Sequence, residues 1–329
     1  MIEAHHIAIV TRSIINTHAL NNETAEGNEQ ILRRIQVLAG ENNQKDYKYI
    51  EVSAISGGMQ KFMFDTALRQ ICKDLKLPIS KGANLHSPQR IWGTKVYRDF
   101  ITQTKSLEKI YNSLLSCTMT DIGGIMALKK GGKQIKRKSV MQYGWAFSLT
   151  PDLKPSTHNR TRSMPVSNNL IDDQMIFTQE TASGIYGTMS RIQLNRIGFN
   201  DYSHDYPDEV EGPEKSKVPI ERIQRMKAVL YAVESSLTVP QGASVSTQLP
   251  HFTGIEGIIC VSGIHNPPLA PSPINITYRE DIEAMCQRNN KRFSDGQQYT
   301  YRFDNYIDLA GVIDEISQTF IPAKIRIRE

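Results

Sequence analysis

The chain has 329 residues, 39% of them hydrophobic and 22% charged, with a net charge of +5 and an isoelectric point near 8.9. This is an ordinary globular composition, able to bury a core in one large domain or two modest ones, and mildly basic. No apolar run approaches the roughly 18 residues of a membrane span, MIEAHHIAIV lacks the features of a signal peptide, and the four cysteines form no CxxC pair, so a reduced, cytoplasmic setting is expected.

In chain order, HIAIVTRSII is rich in β-branched residues and predicts a buried first strand. The polar, asparagine-rich THALNNETAEGN follows, and the stretch to Asp46 reads in part as loop. KYIEVSAI predicts a second strand, broken by Ser56-Gly57-Gly58. MQKFMFDTALRQICKDL continues as a helix, with Met59, Phe62, Met63, Ala67 and Ile71 near helical spacing on one face. Ser106–Cys117 is helical in character, DIGGIMAL leads into a basic run, and KSVMQYGWAFSL predicts a strand. Leu149–Asp173 is a long polar stretch, of a length that marks a loop as functional or disordered. Gln174–Phe199 alternates as an extended strand, an acidic loop follows, and PIERIQRMKAVLYAVESSLTV is the clearest helix. IEGIICVSG predicts a strand. A proline-rich connector then leads to a peripheral tail with one helix near Tyr306–Thr319 and an edge-like AKIRIRE. This order fits an α+β fold with an antiparallel palm of the ferredoxin-like type, from which the insertions project.

The charge is unevenly placed. Lys129–Lys138 carries six basic residues in ten, and Asp201–Glu214 carries six acidic residues with no Lys or Arg. One anion-binding face and one anion-repelling face are expected. Covalent chemistry is poorly supported. There is no HxxxH or Cys–His cluster at ligand spacing, no GxSxG elbow and no GxxxxGK[ST] loop. Ser183-Gly184 within an extended segment reads as a bulge or a close backbone approach. No metal, no cofactor and no enzymatic activity are expected.

Polyanion binding is better supported. The free amides at the start of the ISGGMQK helix would meet phosphate, with Lys61 adding charge. Arg12 could reach the same face, although an arginine on a strand is commonly a solvated edge. Asn16, Asn21, Asn22 and Asn28 are candidate donors to phosphate and ribose, against the plainer reading of a turn that favours Asn. Lys129, Lys130, Lys133 and Arg137 would line a groove or form a solubilising hairpin. Met126 and Met164, near the basic stretches, are candidate apolar wedges between bases, against a plain core or loop role.

Five segments in this order, LNNETAEGN, YIEVSAISGGMQKFMF, DIGGIMAL, FTQETASGIYGTMSRIQL and VPQGASVSTQL, resemble the backbone subunit of the type I CRISPR effector complex, Cascade. The branch they resemble is the DevR-like CRISPR-associated autoregulator family. The resemblance covers most of residues 5 to 263. It implies a right-hand shape: an RRM-like palm in two parts (1–78 and 181–265), inserted fingers (79–146), a thumb hairpin (147–180) and a C-terminal tail (266–329). It further implies that copies stack head to tail along a guide RNA (crRNA), beside other Cascade subunits, and present it to target DNA. By motif, Ser53, Ser56, Gln60 and Lys61 would be palm contacts, with Asn21, Asn22 and Asn28 in the preceding loop and Met126 beside the RNA. His158, Arg160, Arg162 and Met164 would lie near the thumb tip. The helix start is less basic than in many relatives and the fingers look short, which hints at a compact variant such as one from a CRISPR-guided transposition system. Two other classes compete: a type III-like subunit that cuts target RNA with Glu23 or Asp121 and a metal ion, and a DNA-binding autoregulator, for which no helix-turn-helix pattern is present.

Overall fold

The run HIAIVTRSIINTH starts without polar–apolar alternation because both faces of its first half are covered. The computed structural model of the protein describes residues 1–26, 29–39, 48–87, 89–128, 134–150, 155–163, 174–241, 244–294 and 296–325. Its first half contains β1 (Ile2–Ala4), β2 (His6–His18), β3 (Asn22–Glu26), β4 (Glu29–Leu32), β5 (Arg34–Ala39), β6 (Lys48–Ile55) and α1 (Gly57–Asp74). Next come α2 (Lys81–Asn84), α3 (Lys95–Gln103), α4 (Leu107–Leu115), α5 (Thr118–Gly123), β7 (Ile125–Leu128), β8 (Gln134–Arg137), β9 (Met141–Tyr143) and β10 (Ala146–Ser148). The second half adds β11 (Ser156–Ser163), β12 (Gln174–Gln193), β13 (Glu209–Gly212), β14 (Lys215–Pro219), α6 (Arg222–Thr238) and β15 (His251–Ser262). The chain closes with α7 (Tyr278–Arg292), β16 (Gln298–Phe303), α8 (Tyr306–Thr319) and β17 (Phe320–Pro322).

The main sheet runs β16-β15-β2-β12-β10-β6-β5, with β9 also paired to β12. Along this path neighbouring strands are antiparallel: Ile9 of β2 faces Ile259 of β15 on one side and Ser190 of β12 on the other. Ile7 and Ile9 pack with Phe64 and Leu68 of α1 and with Met226 and Val229 of α6. Ala8 and Val10 point the other way, onto Tyr278, Ile282 and Cys286 of α7. The fold is thus a mixed α+β architecture, as the order of predicted elements implied. Among the described residues no helix is long and apolar enough to cross a membrane.

Strand β12 has 20 residues and belongs to both the main sheet and a hairpin. Ala182 to Gln193 pair with β2, while Gln174 to Thr181 pair with β11 in a hairpin. A β-bulge between Ala182 and Gly184 separates the two regions, at the place where Ser183-Gly184 predicted one.

Several expectations change. The tail is not peripheral: β16 pairs with β15 in the main sheet and α7 closes the second face. Helix α7 escaped notice because Tyr278, Ile282 and Cys286 are the few apolar residues of its buried stripe, in an otherwise polar segment. AKIRIRE does not open as a strand. The last described strand, β17, ends at Pro322, and residues 326–329 lie outside the described residues. Within the stretch to Asp46, expected to be in part loop, the described residues form the strands β3 to β5. KSVMQYGWAFSL is split at Gly144-Trp145 into β9 and β10. Phe62 is exposed rather than part of the buried face of α1.

Candidate nucleic-acid interface

The segment that leaves the end of β2 is fixed from both sides. Thr17, a β-branched residue, adopts φ 55°, a left-handed conformation such residues rarely take. Its amide donates to the Ser183 hydroxyl at 2.9 Å, beside the bulge of β12. His18 is buried, and its Nδ1 accepts from the Leu20 amide at 3.4 Å. The other ring nitrogen therefore carries the hydrogen and donates to the Tyr186 hydroxyl at 2.5 Å. Burial pushes the His18 pKa down to about 4, so the ring is neutral at pH 7. Ser53, also buried, bonds the same tyrosine from β6.

Asn21 then ties this loop to the helix start. Its Oδ1 accepts from the Ser56 amide at 2.8 Å, and its carbonyl accepts from the Arg33 amide at 2.9 Å. Ser56 caps α1, its hydroxyl accepting from the Met59 amide at 3.2 Å. Gly57 is required by close approach: a Cβ there would stand 2.8 Å from the Tyr143 carbonyl oxygen. At Gly58 a Cβ would meet only the Ser56 hydroxyl, at 3.8 Å, so this turn of the helix is open.

The structure divides the predicted contacts. Asn21 and Ser56 meet at the helix start, with Asn22 beside them; the Asn22 Oδ1 is buried without a partner. Gln60 is turned inward and donates to the Gly144 carbonyl at 2.8 Å and the Ile55 carbonyl at 3.4 Å. Lys61 is half-buried, and its ammonium donates to the Gly123 carbonyl at 2.7 Å. Burial lowers its pKa, offset in part by Asp65. With the Arg90–Asp65 pair, it holds the chain just before β7. Lys61 is therefore a tether between α1 and the β7–β8 hairpin, where the sequence predicted a phosphate contact. On that hairpin Met126 is 70% exposed.

Arg12 faces the α7 side of the sheet, because the alternation of β2 sends Thr11 and Ser13 toward the α1 side. Its guanidinium donates to the Pro273 carbonyl at 2.8 Å and lies 5.1 Å from the Tyr278 ring. It fastens the C-terminal connector and does not reach the helix start. Asn16 donates to the Thr253 hydroxyl at 3.3 Å on the neighbouring strand.

Arg137 is the clearest correction. It is buried and bonds the carbonyls of Asp121, Arg196 and Phe199 and the carboxylates of Asp121 and Asp201. Asp121 also accepts from Arg225 and from the Gly198 amide. Burial alone would raise the Asp121 pKa, but Arg137 and Arg225 more than offset it and leave it below the usual carboxylate range. With both oxygens engaged inside the core, Asp121 is a structural anion rather than a metal ligand. Glu23 is exposed on β3, and no metal-ligating cluster occurs among the described residues.

On the β11–β12 hairpin, His158 bonds the Thr181 hydroxyl at 3.0 Å and Arg160 donates to the Thr247 hydroxyl. Arg162 pairs through its backbone with Met175. The Arg162 side chain and Asn28, Lys129, Lys130, Lys133 and Met164 lie outside the described residues. The base of the hairpin is braced by Glu180, which accepts from the Leu32 amide at 2.9 Å and from Arg34 at 2.6 Å.

Two residues that sequence reasoning passed over complete this surface. Trp145, between β9 and β10, is 40% exposed, and the Arg33 guanidinium lies 5.8 Å from its ring centroid. No motif marks either. The Gly-Trp pair inside an expected strand was the one available signal.

A 100-residue stretch is 30% identical to the energy-coupling factor transporter ATP-binding protein EcfA of Methanosphaera stadtmanae. The match takes in 30% of this chain, which spans 34% of that protein's length. Two solved structures align along nearly the whole chain at 11% identity. One is a chain of a CRISPR RNA-guided surveillance complex (TM-score 0.46, covering 95% of this chain and 98% of that one). The other is a chain of such a complex in a pre-nicking state (TM-score 0.47, covering 94% and 99%). The family model for the CRISPR-associated negative auto-regulator DevR/Csa2 matches residues 9–282, from β2 into α7, and the chain belongs to that family.

Proposed function

We propose that the chain is a non-catalytic backbone subunit of a Cascade-like CRISPR effector, which binds crRNA and stacks head to tail along it. The observation that carries this reading is the bonded loop and helix start, in which Asn21 fixes Ser56 at the open first turn of α1. Such a start offers amide donors and the positive end of the helix to phosphate without reading bases. Membership of the DevR/Csa2 family supports it.

In this reading β2, β9/β10, β12 and β15 form a palm. Their spatial order, β15-β2-β12-β9/β10 with α1 and α6 on one face, supports reading them as a βαββαβ ferredoxin-like or RRM-like unit. The part of residues 79–146 that precedes β9 would be the fingers, with Met126 at the RNA, while β9 and β10 fall to the palm. The β11–β12 hairpin would be the thumb, reaching the RNA of the neighbouring copy, and the remaining partners would be other Cascade subunits and, through the crRNA, target DNA.

Co-expression with a repeat–spacer RNA tests the proposal. The expected result is a regular filament whose RNA resists nuclease. Recovery of RNA-free monomers would refute it. Preference for duplex promoter DNA over single-stranded RNA would favour the regulator suggested by the family's description. Cleavage of complementary RNA at regular intervals with magnesium would favour an enzyme, against the engaged state of Asp121.

A further inference from the structure

We propose that Trp145 is a stacking platform for an unpaired base of the bound RNA, with the Arg33 guanidinium beside its ring. The inference rests on the RNA-binding reading above and adds a base-binding site to it.

An exposed aromatic residue alone needs no explanation; four features set this one apart. First, the indole joins none of the apolar clusters of the described residues, whereas Trp92 packs against the main core. Second, its backbone is held on both sides. The Gly144 amide donates to the Met189 carbonyl at 2.9 Å, the Gly144 carbonyl accepts from Gln60, and Ala146 pairs with Ile55. The ring is presented on a fixed mount, so little order is lost on binding.

Third, the backbone of Arg33 is fixed, and its guanidinium forms no ion pair with the described residues. Its amide donates to the Asn21 carbonyl and its carbonyl accepts from the Ala54 amide. Among the described residues it has no carboxylate partner, and its Nε is buried without a hydrogen bond. The next residue, Arg34, is instead neutralised by Glu180. A guanidinium beside an indole leaves N–H donors free for a phosphate or a base edge. Fourth, the platform adjoins the helix start. Gly57 abuts the Tyr143 and Gly144 carbonyls, so a phosphate at α1 and a base over Trp145 belong to one stretch of strand. Stacking of this kind is tolerant of sequence, because every base has a π-face.

The test is a titration of the purified protein with oligoadenylate and with the same oligomer carrying abasic sites, read by labelled-RNA anisotropy and by tryptophan emission. Oligoadenylate should quench wild-type emission, and the quench should vanish in Trp145→Phe and with the abasic oligomer. Affinity should fall in the order Trp, Phe, Ala at position 145, with Trp145→Ala weakening binding about tenfold. Tight binding of oligoadenylate with no Trp145-dependent quench would overturn the platform and leave the RNA reading intact. Failure of any RNA to bind would overturn both.

Discussion

Protonating His18 would break the contact its Nδ1 makes with the Leu20 amide and place a charge in the core beneath the 19–22 loop. The folded pKa of about 4 lies below the ordinary histidine value of 6.5, so between these values the unfolded chain binds a proton that the folded chain refuses. The His18 contribution is present above pH 6.5 and is lost as the pH falls through 4. Over that window it amounts to about 3 kcal/mol. Urea midpoints measured from pH 7 to pH 4 should fall more steeply for the wild type than for His18→Gln, and equal slopes would count against this account. Sequence pattern gave good residue types here but not their direction. Asn21 and Ser56 were legible, because an Asn-rich loop and a Ser before a helix have local roles. Gln60, Lys61 and Arg137 were not, because whether a long polar side chain turns outward or onto a buried carbonyl depends on elements far away in sequence. Trp145 and Arg33 come together only when β4, β5 and the β9–β10 break are assembled.

At the scale of the element, adjacent glycines at the start of α1 do different work. Gly57→Ala drives a methyl into the Tyr143 carbonyl and should destabilise the protein by about 1–3 kcal/mol. Gly58→Ala points into open space and should stabilise it by about 0.5–1 kcal/mol through helix propensity. Thermal denaturation of the two variants checks the pair, and a Gly58→Ala as unstable as Gly57→Ala would refute it. Helices α1, α6 and α8 were legible from apolar residues at helical spacing and from their caps or prolines. Helix α7 was not, because its buried stripe is narrow and the rest of it is polar. Strands β3 to β5 were missed for a related reason: their polar residues tolerate exposure, and pairing with distant strands decides their conformation.

For the whole molecule, the C-terminal segment completes the core. Helix α7 covers Ala8 and Val10, and β16 extends the sheet beyond β15. Deleting residues 266–329 would expose one face of the central strand, so the truncated protein should be insoluble or lack a cooperative thermal transition. A soluble, cooperatively unfolding truncation would restore the view of the tail as peripheral. The mixed α+β class followed from element order alone. The closure of both sheet faces did not, although the unbroken apolar run Ile7–Val10 carried its trace.

Strand β12 places a further constraint on the chain. The same continuous strand supplies the rungs against β2 and the rungs against β11. Side chains alternate with a period of two, so one inserted residue between Gln179 and Tyr186 would reverse which face of the hairpin arm carries His158 and Gln179 relative to the sheet. The orientation of the arm is thus held by parity. Any change of length within the hairpin has to keep its rungs in step from Ser156–Thr181 to Ser163–Gln174.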